Sequence, residues 1–137
     1  MSTYLLHTNA ISDLVRHPQG AVQRRIAAVG AGNLCTSIIV AAESRFGTEK
    51  RGSRRLLRQL EAVLAGLEIL PFETPADRVY AELRADLERR GLPIGANDML
   101  IAAHALTLGC ILVTANEREF SRIRGLQIEN WVQPASH

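Results

Sequence analysis

The pattern that most restricts the fold is an alternation. Short apolar runs, each stopped by a polar turn or a proline, are separated by longer segments carrying helix start and stop signals. Tyr4-Leu5-Leu6 stops at His7-Thr8-Asn9, and Leu34-Cys35-Thr36 stops at Ser37. Residues 67–70 stop at Pro71, residues 110–113 stop at Thr114-Ala115-Asn116, and a last strand, not an apolar run, is expected near residues 127–129. Runs of this length and apolarity read as strands. Between them, helices are expected over 10–16, 21–29, 38–50 behind a Ser37 cap, 52–65 and 95–108, with a short one near 117–123. The clearest start lies at Thr74, Pro75 and Asp77, which suit N-cap, first helical position and first turn. Val79, Leu83 and Leu87 then form an apolar stripe that ends before Gly91.

Strands alternating with helices imply an α/β fold: a three-layer sandwich whose central, mostly parallel sheet of four to five strands is flanked by helices. With 137 residues and 47% hydrophobic side chains, one domain over residues 1–133 is expected, followed by a loose tail over 134–137. A net charge of +2 admits a polyanionic partner without requiring one. Cys35 and Cys110 both lie in apolar runs and read as buried, reduced thiols. No charged-then-apolar leader pattern and no apolar run near the roughly 18 residues of a membrane span is present, so no membrane association and a cytoplasmic location are expected.

Parallel sheets place their sites at the carboxyl ends of the strands, and several carboxylates fall there. Asp98 shares a helical face with Ile101, Ala102 and Ala105, which belong in a core. A carboxylate beside such residues requires a partner, unless it serves only to favour the helix N-terminus. Glu43 sits in the apolar stretch Ile38-Ile39-Val40-Ala41-Ala42-Glu43, where it needs a partner or an ion pair with Arg45 or Lys50. Glu119 follows the strand over 110–113, and Glu117 competes with it for the same role. Converging carboxylates suit a hard cation, Mg²⁺ or Mn²⁺. Phosphodiester hydrolysis uses such ions to activate water and offset charge on the leaving oxygen. Arg51, Arg54, Arg55 and Arg58 fall at i, i+3, i+4 and i+7 and form a basic stripe, either a solvated helix face or a contact for RNA phosphates. His104 reads as a packed histidine.

Taken in order, the segments Tyr-Leu-Leu-His-Thr-Asn at 4–9, Ile-Val-Ala-Ala-Glu at 39–43, Pro-Ile-Gly-Ala-Asn-Asp-Met-Leu-Ile-Ala-Ala-His-Ala at 93–105, Leu-Val-Thr-Ala-Asn-Glu-Arg-Glu-Phe at 112–120 and Gly-Leu-Gln-Ile-Glu-Asn-Trp at 125–131 resemble the PIN-domain nucleases, in particular VapC-type toxins of toxin–antitoxin pairs. The resemblance covers nearly the whole chain. It implies a Mg²⁺- or Mn²⁺-dependent endoribonuclease that cuts structured RNA such as tRNA. It also implies a cognate VapB-type antitoxin, a homodimer, and higher assembly on DNA through the antitoxin. By position it makes Glu43 and Asp98 metal-site acids and Glu119 the fourth acid. Thr8, Asn9, Thr114 and Asn116 become the supporting polar groups. Where the resembled pattern carries aspartate in Leu-Asp-Thr-Asn, this chain carries His7. Position 7 is a catalytic and metal-ligand position in that pattern, and a nitrogen there suits Mg²⁺ poorly, though it suits Mn²⁺ better and Zn²⁺ better still. A protonated His7 can also pair with Asp98 or Glu43 and take the cation's place. The expectation is a nuclease scaffold impaired at its first ligand. The alternatives are an inactive module that binds antitoxin or RNA, and a receiver-like signalling domain. The latter lacks the aspartate it needs, since residues 68–73 read Glu-Ile-Leu-Pro-Phe-Glu.

Overall fold

A computed structural model of the chain describes residues 3–132, so the expected tail over 134–137 lies outside the described residues. Five strands form one sheet: β1 (Tyr4–Leu6), β2 (Leu34–Ser37), β3 (Glu68–Leu70), β4 (Ile111–Val113) and β5 (Ile128–Glu129). Their order is β3-β2-β1-β4-β5, and each pairing is parallel. The sheet is therefore wholly, not mostly, parallel.

The helices are α1 (Thr8–Arg16), α2 (Ala21–Val29), α3 (Ile38–Arg51), α4 (Arg54–Ala65), α5 (Ala76–Arg89), α6 (Ala96–Leu108) and the single turn α7 (Glu117–Phe120). Helices α1, α3 and α4 pack on one another, and α5 packs along α6. The central strands are covered on both faces, which is why Leu5, Leu6, Cys35, Leu112 and Val113 are all completely enclosed. Cys35 and Cys110 place their sulfurs 4.0 Å apart within this core. At the far edge Trp131 is buried, stacks obliquely on Tyr4 with centroids 5.1 Å apart, and donates from Nε1 to Glu129. Among the described residues no helix is long and apolar enough to cross a membrane.

Three local expectations change. Helix α1 begins at Thr8, directly behind His7, rather than at residue 10. Pro75, not Thr74, is the residue before the first turn of α5, because the chain closes a turn from Ala76 N–H to the Glu73 carbonyl. The turn α7 ends at Phe120, which is fully buried.

The basic stripe also changes, because Arg51 closes α3 whereas Arg54, Arg55 and Arg58 belong to α4. Gly52 turns left-handed at φ 67° and Ser53 caps α4 by accepting from Leu56 N–H, so the four arginines share no single helical register.

Candidate metal-type cleft at the carboxyl edge

The chain runs from β1 outward to β2 and β3, then returns to β4 beside β1. Such a reversal opens a crevice at the carboxyl ends of the strands. His7 stands at the end of β1 and Thr114 at the end of the neighbouring β4, and the His7 N–H donates to the Val113 carbonyl at 2.9 Å. Ser37 ends β2 and caps α3, accepting from Ile39 N–H at 3.0 Å. Two turns of α3 then carry Glu43 to the crevice. Asp98 lies in the first turn of α6, where the helix dipole favours a carboxylate. Beyond it Ile101, Ala102 and Ala105 enter the core as expected.

His7, Glu43 and Asp98 line one open cleft of about 840 Å³, together with Thr8, Asn9, Ser12, Asn97 and Phe46. Glu43 accepts from Thr8 Oγ1 at 2.8 Å and from Asn97 Nδ2 at 3.0 Å. It does not pair with Arg45, which instead grips Glu61 of α4 through two hydrogen bonds of 2.9 and 3.0 Å. Buried His7 lies between Thr114, with Nδ1 2.9 Å from Oγ1, and Asp98, with Nε2 3.2 Å from Oδ1. Its edge meets the Phe120 ring. Asn9 Nδ2 reaches Thr114 Oγ1 at 3.2 Å, and Asn9 Oδ1 accepts from Ala115 N–H at 2.9 Å. Asn116 donates its backbone N–H to Thr114 Oγ1 and its side-chain amide to Glu119.

The cleft therefore gathers His7, Thr8, Asn9, Glu43 and Asp98, with Thr114 behind His7. Among the described residues Glu119 is joined to this network through Asn116 alone, and it does not line the cleft. Glu117 turns away to accept from Asn130. Arg51 lines a smaller adjoining cavity with Thr8, Ser12, Arg16 and Glu43, whereas Arg54 lines a separate hollow beside Glu49. Arg55 and Arg58 are exposed on α4. Asn97 went unmarked in the sequence as a site residue, although it adjoins Asp98. Ser12 went unmarked too, and its place one turn beyond Thr8 on α1 was the available signal.

His104 is a packed residue. It is 1% exposed, bonds Ser37 Oγ through Nδ1 at 2.8 Å and meets Phe72 edge-on. Burial holds its ring below the ordinary histidine value, against the smaller opposing pull of the Pro71 backbone and Glu73.

The donor set can be compared with what a hard divalent ion requires. Mg²⁺ takes near-octahedral oxygen donors. Glu43 and Asp98 supply such oxygens, but the position between β1 and β4 supplies an imidazole that is itself hydrogen-bonded to Asp98. Among the described residues no three histidine, cysteine, aspartate or glutamate side chains come together closely enough to hold a metal ion. The site as it stands does not fit Mg²⁺.

The PIN domain family model matches residues 4–126. The chain is 34% identical to the tRNA(fMet)-specific endonuclease VapC of Salmonella typhimurium, over 96% of this chain and 99% of that protein. It is 37% identical to ribonuclease VapC2 of Rickettsia felis, over 93% and 97% of the two chains. Among solved structures it resembles the crystal structure of VapBC2 from Rickettsia felis bound to a promoter DNA fragment, with a TM-score of 0.87 at 36% identity over 95% of this chain and 99% of that one. DNA-bound VapBC from Salmonella typhimurium gives the same TM-score at 34% identity, over 96% and 100% of the chains. The wholly parallel sheet, the two carboxylates at its carboxyl edge and this similarity along nearly the whole chain agree: the chain belongs to the PIN-domain family, among the VapC ribonucleases of toxin–antitoxin systems.

Proposed function

We propose that this chain is the toxin component of a toxin–antitoxin pair, built as an endoribonuclease for structured RNA such as tRNA, and that His7 impairs its cleavage. The observation that carries the proposal is the meeting of Glu43 and Asp98, from separate helices, in one cleft at the switch point of the sheet. With a carboxylate at position 7, Glu43 and Asp98 would help hold a divalent ion, which would supply water activation and charge neutralisation. Thr8 and Asn97 hold the Glu43 carboxylate for that task, and Asn9 and Thr114 hold position 7. Losing a side chain that only orients a metal ligand already costs about 10–100-fold in affinity or activity, so losing a carboxylate that ligates the metal itself costs at least that.

A VapB-type antitoxin is the proposed partner, with assembly on DNA through it, and the cytoplasm is the proposed location. Ile38 and Phe46, 42% and 66% exposed, leave apolar surface on α3, and Phe46 borders the cleft; this supports a homodimer or another docked chain. The second reading is a module that binds antitoxin or RNA without cutting, and the His7–Asp98 hydrogen bond favours it for the chain as it stands.

The test compares the chain with His7→Asp on tRNA in Mg²⁺ and in Mn²⁺. Cleavage rising at least about tenfold in the aspartate form is expected. Equal cleavage by both forms removes the impairment. RNA binding without cutting by both forms leaves the binding module as the function.

A further inference from the structure

The geometry points to a locked tautomer: Asn9, Thr114 and two backbone N–H groups commit both nitrogens of His7, so the cleft refuses even the metals that imidazole prefers. The argument is a count of protons. Backbone N–H groups can only donate. The Ala115 N–H donates to Asn9 Oδ1 at 2.9 Å, which fixes the Asn9 amide with its NH₂ turned inward. That NH₂ faces Thr114 Oγ1 at 3.2 Å and His7 Nδ1 at 3.3 Å. The Asn116 N–H donates to Thr114 Oγ1 at 3.0 Å. Thr114 Oγ1 has two lone pairs, and these two N–H groups occupy both. Its own proton is left for His7 Nδ1, 2.9 Å away.

Nδ1 is therefore an acceptor, and the ring proton sits on Nε2, from which it points at Asp98 Oδ1 at 3.2 Å. A metal ion that takes His7 as a ligand needs a lone pair on Nε2, and there is none, which leaves such an ion only Glu43 and Asp98 in the cleft. Shifting the proton to Nδ1 would turn it into a third donor against a saturated Thr114 hydroxyl and the amino face of Asn9. Histidines that ligate metals donate their other N–H to a carboxylate, carbonyl or water. Here the position beside Nδ1 offers only donors. The same surroundings suit an aspartate at position 7, whose oxygens accept from Asn9 and Thr114. The network thus fits a carboxylate and makes His7 inert toward Mn²⁺ and Zn²⁺ as well as Mg²⁺. Asn9 and Thr114 act as positioning residues.

This inference rests on the reading of the cleft as a metal-type site, but not on RNA as substrate, and its test uses no cleavage assay. The ¹⁵N spectrum of the histidine rings is recorded for the whole chain, and His7→Asp identifies the His7 signals by their loss. The expected His7 pattern is a pyridine-like Nδ1 and a pyrrole-like Nε2, unmoved by added Zn²⁺ and not broadened by Mn²⁺. In His7→Asp, Mn²⁺ affinity read by electron paramagnetic resonance is expected to rise at least about tenfold. In Asn9→Asp, which places an acceptor beside Nδ1 with little change of shape, Nδ1 is expected to turn pyrrole-like. A pyrrole-like Nδ1 in the unaltered chain overturns the lock, as does Zn²⁺ or Mn²⁺ acting on its Nε2 signal. An Nδ1 that stays pyridine-like in Asn9→Asp overturns the role given to Asn9. Should that variant fail to fold, the spectrum of the unaltered chain still decides the matter.

Discussion

Ser37 shows how much one small side chain can hold. Its Oγ caps α3 by accepting from Ile39 N–H and also bonds His104 Nδ1 on α6, the helix that carries Asp98. Ser37→Ala is expected to cost about 1 kcal/mol for the cap. A further ~1–3 kcal/mol follows if the His104 nitrogen is left without a partner. A fall in the midpoint of urea unfolding measures both. His104 itself predicts a pH dependence. Its folded-state value lies below the ordinary one, chiefly through burial, so as pH falls the unfolded chain binds the proton first. Its contribution to stability is complete above about pH 6.5 and is lost as pH falls from there toward the folded value. His104→Gln should flatten that limb of the stability–pH curve, and an unchanged slope contradicts the role of burial. Neither Ser37 nor His104 was legible as a link between the two acid-bearing helices, because 67 positions separate them and only folding makes them neighbours.

At the scale of elements, several helix boundaries were legible from their caps, but not the start at Thr74, where the turn from Ala76 N–H to the Glu73 carbonyl moves the cap to Pro75. Ser37, Gly91 and Gly109 start or stop their helices as the sequence indicates, and Gly91 and Gly109 both adopt φ 68°, whereas the helix expected from residue 52 starts at Arg54 behind the Ser53 cap. The basic stripe shows how spacing misleads when a break intervenes, since Gly52 separates Arg51 from the arginines of α4. The two groups should therefore behave differently if RNA is the ligand. Arg51 shares a cavity with Glu43, whereas Arg54 and Arg55 lie outside that cavity. Removing the Arg51 charge is expected to weaken RNA binding and lower the salt slope by about one unit. Replacing Arg54 and Arg55 together should lower the slope further only if α4 contacts phosphates. Binding isotherms over a range of salt concentrations separate these outcomes.

Over the whole molecule, Trp131, just beyond β5, is 2% exposed and packed against Tyr4 of β1 and the Arg25 guanidinium of α2. Trp131→Ala is expected to destabilise the fold by about 3–5 kcal/mol, read from the shift in denaturant midpoint. The two cysteines offer a second check of the core. With Cys35 fully enclosed and Cys110 6% exposed, a thiol reagent should react slowly with the folded chain and with both sulfurs once it is unfolded. Rapid labelling of the native protein contradicts this packing.

The sequence by itself determined the class of fold, because strand and helix periods, caps and breakers are local properties, and short apolar runs between helices leave a covered parallel sheet as the economical solution. It also marked Glu43 and Asp98, since carboxylates among core-forming residues are costly without a purpose. The tertiary structure alone decided strand order, the separation of Glu119 from the cleft and the proton arrangement around His7. Those depend on which backbone N–H groups face which oxygens after β1 and β4 come together, and the nearest such pair to His7, Thr114, lies 107 residues away in the chain. The substitution at position 7 is visible in the sequence as a chemical mismatch. The reason its nitrogens are both engaged exists only where the two strand ends meet.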